Sequence, residues 1–340
     1  MQKIIYLIPF LTFLLSAKAL MLELPPNPED DVVGYNFDIE AEKGDTLWKI
    51  GYAYNIGLSE IKLANPQLKN KYGNYKLNVG DIVHIPQQFI LPIEVYREGI
   101  VINMAERRLY YFPSHEDVVY TYPVAMGKQS TRTPTMDATV KKKKVGPYWY
   151  PPDSIRMAHF DSTGDILPEF VRPGPNNPLG THAIYTSKPK YLIHGNNNIT
   201  SVGKFVSSGC IRMYNEDVEE LHAMVSVSEP IRIIHHTTKI GTLNGTLYVE
   251  THPEVVIYER PNYLNTVYID DLLDEFNGEY QIDYERLQDI RNNPDGVPVT
   301  ISQYEVDDYY WSYEEPEQEV NYIVISNNQP YESPYRYKHR

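Results

Sequence analysis

Cys210 is the sole cysteine of this 340-residue chain, and it stands in Ser207-Ser208-Gly209-Cys210-Ile211-Arg212-Met213. A thiol attacks a carbonyl as its thiolate, and a free-thiol pKa of roughly 8.5 leaves few thiolates at neutral pH. It therefore needs a base within hydrogen-bond reach. His194 precedes Cys210 with fifteen residues between them, and Gly195 follows it. His194 could take the thiol proton and return it to a leaving amine. The Gly195 carbonyl could orient the imidazole, and the amides near Gly209 and Cys210 could hold a developing oxyanion, since glycine lets the backbone approach closely. Taken alone, a Cys and a His also fit a buried thiol and a core histidine.

These residues need strand ends and loops to bring them to one cleft. Residues 93–250 are mostly strand-like. Ile100-Val101-Ile102 and Arg108–Phe112 flank a short turn, Val118–Val124 continues the pattern, and Ala183–Tyr185 pairs with Tyr191–Ile193 about a Lys-Pro-Lys turn. Pro230–Ile234 closes the set. One helix is expected after Cys210, with Asn215 as its cap, Glu216 and Asp217 in the first turn, and Val218, Leu221 and Val225 on the buried face. The expected fold class is a mainly β catalytic domain, sandwich-like or barrel-like with one or two helices.

The segment resembles the YkuD-type L,D-transpeptidase catalytic domain, of the subgroup containing ErfK and YbiS. The matching residues are His194, Ser207, Gly209, Cys210 and Arg212, with Tyr122–Gly127, Thr133-Pro134, Pro147–Pro152 and Pro173–Gly180 upstream. One departure is visible: many members carry a second His before the Gly-Cys pair, where this chain has Ser208. The resemblance implies that Cys210 attacks the third residue of a peptidoglycan stem, releases D-Ala and forms a thioester. An amine of another stem, or a lysine of a wall-anchored protein such as an outer-membrane lipoprotein, would then take the acyl group. Water as acceptor would make a hydrolase of the same site, and a degenerate site would leave a wall-binding protein. Arg212, whose planar fork suits a carboxylate, is a candidate substrate contact with Ser207, Ser208 and Asn196. Structural roles for Arg212 and Ser207 stay open. The chemistry requires no cofactor. The histidines, His235-His236 included, lack metal-ligand spacing, so no metal is expected. Lys141–Lys144 reads as a solvated face.

Residues 37–86 have a separate pattern. Leu47, Ile50 and Tyr54 share a helical face, a second helix follows with Ser59 as a plausible cap, Pro66 stops it, and Val79–Pro86 turns into a strand. This βααβ order resembles a LysM domain, carried by Gly44-Asp45-Thr46-Leu47, Ala64-Asn65-Pro66, Leu77, Gly80-Asp81 and Ile85-Pro86. The resemblance implies a small α+β module binding N-acetylglucosamine-containing glycan. Such a module would concentrate a sparse insoluble substrate near the thiol.

Residues 1–19 read as a signal peptide, cleaved or retained as an N-terminal anchor, with Lys3, an apolar run from Ile4 to Leu15, and Ala17-Lys18-Ala19. The expected location is therefore the periplasm, at the cell wall. Residues 20–36 read as a linker. Residues 241–340 hold 20 acids and 6 bases, so the net charge of −14 lies wholly in them. This argues against nucleic acid as a partner. Residues 251–340 are expected to be an acidic, tyrosine-rich, partly disordered extension with a partial helical pattern over Asp270–Ile290.

Overall fold

The computed structural model describes residues 19–92, 97–253 and 279–303, with Leu273 and Phe276. The expected signal segment up to residue 18 and the tyrosine-rich stretch after residue 303 lie outside the described residues. No described helix is long and apolar enough to cross a membrane.

Strand β1 (Leu20–Glu23) is followed by β2 (Val32–Gly34) and β3 (Phe37–Glu40). The segment expected as a linker thus contributes two strands, and β1 adds to the edge of the main sheet by pairing with Val118–Thr121. Helices α1 (Leu47–Ala53) and α2 (Leu58–Leu63) then lead to β4 (Ile82–Ile85), which pairs antiparallel with β3. Thr46 caps α1, its hydroxyl accepting from the Lys49 amide at 3.2 Å. Ser59 is not a cap, because α2 starts at Leu58 with Gly57 at its N-cap. The Asn65 amide explains the Asn-Pro pair. It donates to the Ile61 and His84 carbonyls at 2.8 and 2.7 Å and accepts from His84 N–H at 2.8 Å, bolting α2 to β4.

The chain continues through β5 (Gln88–Ile90), β6 (Gly99–Asn103), β7 (Arg108–Phe112), β8 (Val118–Pro123), β9 (Met126–Gly127) and β10 (Met136–Val145). Helix α3 (Asp153–Thr163) lies in an insertion before β11 (His182–Thr186) and β12 (Leu192–His194). Then follow β13 (Phe205–Ser207), β14 (Ile211–Arg212), α4 (Asn215–Met224) and β15 (Pro230–Ile234). Nine strands form one mixed sheet in the order β1-β8-β7-β6-β15-β10-β11-β12-β14. A register shift between Val140 and Lys142 lets β10 pair with β15 by its first half and β11 by its second. The Lys141–Lys144 run is not merely a solvated face. Lys143 Nζ donates to the His222 and Val225 carbonyls, both at 2.7 Å, and closes the C-terminus of α4.

Strand β6 is buried on both faces. Its alternation places Ile100 and Ile102 in one core with Ile193, Ile211, Val218 and Leu221, and Val101 in another. That second core joins Tyr110, Phe112 and Val119 of the sheet to Ile50, Ile56, Ile61, Val83 and Ile85 of the βααβ module. The module is thus a layer packed on the catalytic sheet. At the seam, Arg108 is fully buried and gives Nε to Glu60 Oε1 at 2.7 Å and Nη2 to Oε2 at 3.1 Å.

Beyond the sheet, β16 (Thr238–Leu243), β17 (Thr246–Thr251) and β18 (Val299–Gln303) form an antiparallel sheet backed by α5 (Tyr284–Asn292). Ile240, Leu247, Val249, Leu287, Ile290 and Ile301 supply its core. A boundary at residue 250 therefore cuts through a folded unit. Residues 281–303, expected within a partly disordered extension, complete it. Fully buried Lys239, held by Glu106 at 3.0 Å and Glu250 at 2.9 Å, ties this unit to the catalytic sheet.

Candidate active site

The parallel pairing of β12 with β14 sets Ile193 beside Ile211 and His194 beside Arg212. The register sets the His194 and Arg212 side chains on one side of the sheet, and Cys210 stands in the bend that leads directly into β14. Isoleucines 193 and 211 face the opposite side and are buried in the core under α4. The short apolar stretches around the thiol anchor it by this alternation.

His194 is buried, and its Nδ1 lies 2.6 Å from the Gly195 carbonyl. A carbonyl can only accept, so Nδ1 carries the hydrogen and Nε2 keeps its lone pair. Burial, reinforced by the Arg212 charge, lowers the His194 pKa to about 3 against the pull of the Gly195 carbonyl. The imidazole is thus neutral at physiological pH. Burial pushes the Cys210 thiol above its ordinary value, while the Leu192 backbone and the Arg212 charge draw it down. The thiol donates to the Lys190 carbonyl at 3.6 Å. No hydrogen bond joins Cys210 to His194 in this state, among the described residues.

The turn before Cys210 is clamped from within and from outside. Ser207 Oγ donates to the Cys210 carbonyl at 2.5 Å and accepts from the Gly209 amide at 3.1 Å. Thr133 Oγ1 donates to the Gly209 carbonyl at 2.9 Å and accepts from the Gly127 amide at 3.0 Å. The Ser207 carbonyl accepts from Lys128 N–H and the Thr131 hydroxyl. Gly209 has φ +111°, a conformation closed to most side-chain-bearing residues.

On the His194 side the anchor is Asn215. Its Oδ1 accepts from the Thr181 and Asn196 amides at 3.2 and 3.1 Å, and its Nδ2 donates to the Asn196 carbonyl at 3.0 Å. A Cβ on Gly195 would stand 2.2 Å from Asn215 Oδ1, and one on Gly180 would stand 2.1 Å from it. The two glycines are required by this close approach.

Residues 97–233 match the YkuD family, the L,D-transpeptidase catalytic domain, and residues 40–86 match the LysM domain. The chain is 34% identical to the probable L,D-transpeptidase YcfS of Escherichia coli, over 87% of this chain and 96% of that one. The chain belongs to the L,D-transpeptidase family. It is also 33% identical to the probable L,D-transpeptidase YbiS of Escherichia coli, over 85% of this chain and 94% of the relative. Identity to the probable L,D-transpeptidase ErfK/SrfK of Salmonella typhimurium is 32%, over 89% and 98% of the two chains.

Within this L,D-transpeptidase, several sequence expectations need correction. The Gly209 amide is occupied by Ser207 Oγ and is not free for an oxyanion. The Cys210 amide, the other candidate, donates to no protein group among the described residues. Ser207 is buried, and both bonds of its hydroxyl lie within the turn, so it positions the thiol rather than meeting substrate. Asn196 is likewise buried. Its amide donates to the Met213 carbonyl and its Oδ1 accepts from Asn198 N–H at 2.7 Å, so it builds the loop. Ser208 is exposed beside the thiol. Arg212 Nε is buried without a hydrogen-bond partner among the described residues, and its charge bears on both Cys210 and His194. Asn215 does not cap α4: Tyr214 occupies the N-cap and the Asn215 side chain turns to the His194 loop. Sequence reasoning missed Asn215 as a positioning residue, and also missed Thr133 and the Leu192 backbone. The recurrence of glycine at 180 and 195 was the available signal for the first.

The Glu106, Glu250 and His252 ligand atoms lie within 4.8 Å of one another, but the Lys239 ammonium already stands between the two carboxylates.

Proposed function

We propose that Cys210 carries the acyl group in peptidoglycan cross-linking, with His194 as its proton carrier. Supporting this most directly is the pairing of β12 with β14, which sets His194 beside Arg212 and next to the bend that carries Cys210, with Nδ1 of His194 tied to the Gly195 carbonyl. The thiol swings from the Lys190 carbonyl toward Nε2 and gives up its proton. The thiolate attacks the carbonyl of the third stem residue, and the oxyanion accepts from the Cys210 amide. Collapse breaks the bond to D-Ala, whose amine takes the proton from His194, and leaves a thioester on Cys210. The acceptor amine then gives a proton to His194 and attacks the thioester, which restores the thiol. Loose catalytic bonds before substrate arrives are common.

The LysM module holds the glycan strand, and the stem peptide reaches the thiol from it. The enzyme works on the wall in the periplasm. Its acceptor is an amine of a second stem, giving a 3-3 cross-link, or a lysine of a wall-anchored protein. Digestion of isolated sacculi with the purified enzyme, followed by muropeptide mass analysis, distinguishes these products. Appearance of shortened stems alone would assign water as the acceptor. Cys210→Ala should abolish product while the protein still binds sacculi. Cross-linking by that variant would overturn the proposal.

A further inference from the structure

The chain has a net charge of −14, yet the segments that wall the nucleophile are devoid of acid. Residues 118–136 and 170–215 together contain seven Lys or Arg and no Asp or Glu. These segments meet at the Ser207–Cys210 turn. Lys128 donates its amide to the Ser207 carbonyl, and Lys204 accepts from Met126 at the pairing of β9 with β13. Lys190 accepts the thiol hydrogen, and Lys188 lies in the same turn. The Arg132 carbonyl approaches Gly209, and the Arg212 charge bears on Cys210 itself. Lys128, Lys188, Lys190 and Lys204 pair with no carboxylate among the described residues, and the first three are exposed. The backbones of Lys128, Lys190 and Lys204 thus border the turn that carries the thiol, and a mouth with cations and no acid raises the local concentration of anionic ligands.

We infer that this basic mouth selects acyl donors whose third stem residue carries a free side-chain carboxylate, and discriminates against the same donor as its carboxamide. This deepens the transpeptidase reading and rests on it. Carboxylate and carboxamide are nearly the same size, so a site selecting by shape alone would treat them alike. Exposed lysines attract a carboxylate only weakly and are screened by salt, whereas a charge-assisted bond to half-buried Arg212 is stronger. Together they predict roughly tenfold discrimination at low salt, weakening as ionic strength rises.

The test uses the full-length enzyme and two disaccharide-tetrapeptide donors that differ only in that carboxylate. Acyl-enzyme formation is followed by quenched-flow intact-protein mass. The free-acid donor should show a kcat/KM about tenfold higher at about 20 mM salt, shrinking severalfold at about 0.5 M. The double variant Lys128→Glu, Lys190→Glu should lower the ratio severalfold at low salt. Stoichiometric alkylation by uncharged iodoacetamide establishes that the variant keeps an intact accessible thiol. Equal rates for the two donors in the native enzyme, or a ratio indifferent to both salt and charge reversal, would overturn the inference alone. Failure of both donors to acylate the native enzyme would overturn the transpeptidase reading and this inference with it.

Discussion

Replacing Glu60 by glutamine tests whether the LysM module and the catalytic sheet are one cooperative body. Glu60 belongs to α2 and Arg108 to β7, and their side chains are 10% and 0% exposed. Arg108 spends two bonds on Glu60, one on Thr121 Oγ1 at 3.0 Å and one on the Asn55 carbonyl at 3.1 Å. Its guanidinium also lies 4.5 Å from the Phe89 ring centroid. The substituted amide would keep an oxygen for one of the bonds but remove the only carboxylate bonded to this cation among the described residues. An uncompensated buried charge costs about 3–5 kcal/mol, and the bonds that survive place this variant at about 3 kcal/mol. Urea unfolding read by tryptophan fluorescence and by far-UV circular dichroism would report it, Trp48 lying in α1. Native protein should unfold in one transition by both probes. Replacing both partners, Glu60→Leu with Arg108→Met, should cost less than Glu60→Gln, because no charge is left stranded. A loss of about 0.5 kcal/mol or less in Glu60→Gln, the range of an ordinary surface substitution, would refute the reasoning. So would a double variant equal to the sum of its singles.

Three further outcomes follow from the site and its surroundings. Because His194 is held neutral and burial lifts the thiol, the rate of Cys210 alkylation should climb through alkaline pH; a plateau below about pH 7 would indicate a preformed ion pair instead. Ser207→Ala removes the acceptor of the Gly209 amide and the donor to the Cys210 carbonyl, so it should cost about 1–3 kcal/mol in thermal unfolding and lower kcat more than it raises KM. His235, both of whose ring nitrogens are buried without partners among the described residues, has its pKa lowered to about 4, by burial first and then by the His236 charge. The unfolded chain takes up a proton near pH 6.5 that the folded protein refuses. This stability is therefore complete above about pH 6.5 and is lost as pH falls toward about 4, at up to about 1.4 kcal/mol per pH unit. His235→Gln should flatten the slope of unfolding free energy against pH in that window, and an unchanged slope would contradict it.

Local chemistry made the candidate thiol and the strand pattern legible. Alternating apolar residues at 193 and 211 announce strands, and the one thiol stands where those strands end. Contacts between residues distant in sequence were not legible. Nothing around Asn215 distinguishes a helix cap from a side chain reaching 19 positions back, because both use the same amide. Ser207 and Gly209 read as a turn with a free amide. Only the folded turn reveals that the hydroxyl two residues away consumes that amide. The segment 20–36 has the composition of a linker, yet the open edge of β8 recruits four of its residues as β1. The C-terminal unit escaped notice because its third strand, β18, pairs with β17 across 50 or more positions, as Val249 with Val299.

The seam between modules also decides how the glycan-binding role can be tested. Ser59 Oγ donates to the Gly203 carbonyl at 2.5 Å, and Gly57 packs so closely on Gly203 that a Cβ there would stand 3.2 Å from the Gly203 Cα. Gly203 lies in the loop that runs from His194 to Cys210, two residues before β13. The module thus supports the loop that leads to Cys210. Cutting it away would expose Val101, Tyr110, Phe112 and Val119, whose burial is worth about 1.5–3 kcal/mol each, and would strand Arg108 without Glu60. A truncated catalytic domain would lose activity whether or not glycan binding matters, so its inactivity carries no information about tethering. The discriminating variant lies away from the seam, in the turn before α1, where Lys43 and Gly44 are exposed and Asp45 is half-buried. Asp45→Lys there should weaken sacculus binding and leave the kcat/KM for a small soluble donor within about twofold, because that turn contributes nothing to the shared core. Equal losses on sacculi and on the soluble donor would instead assign the module a purely structural role.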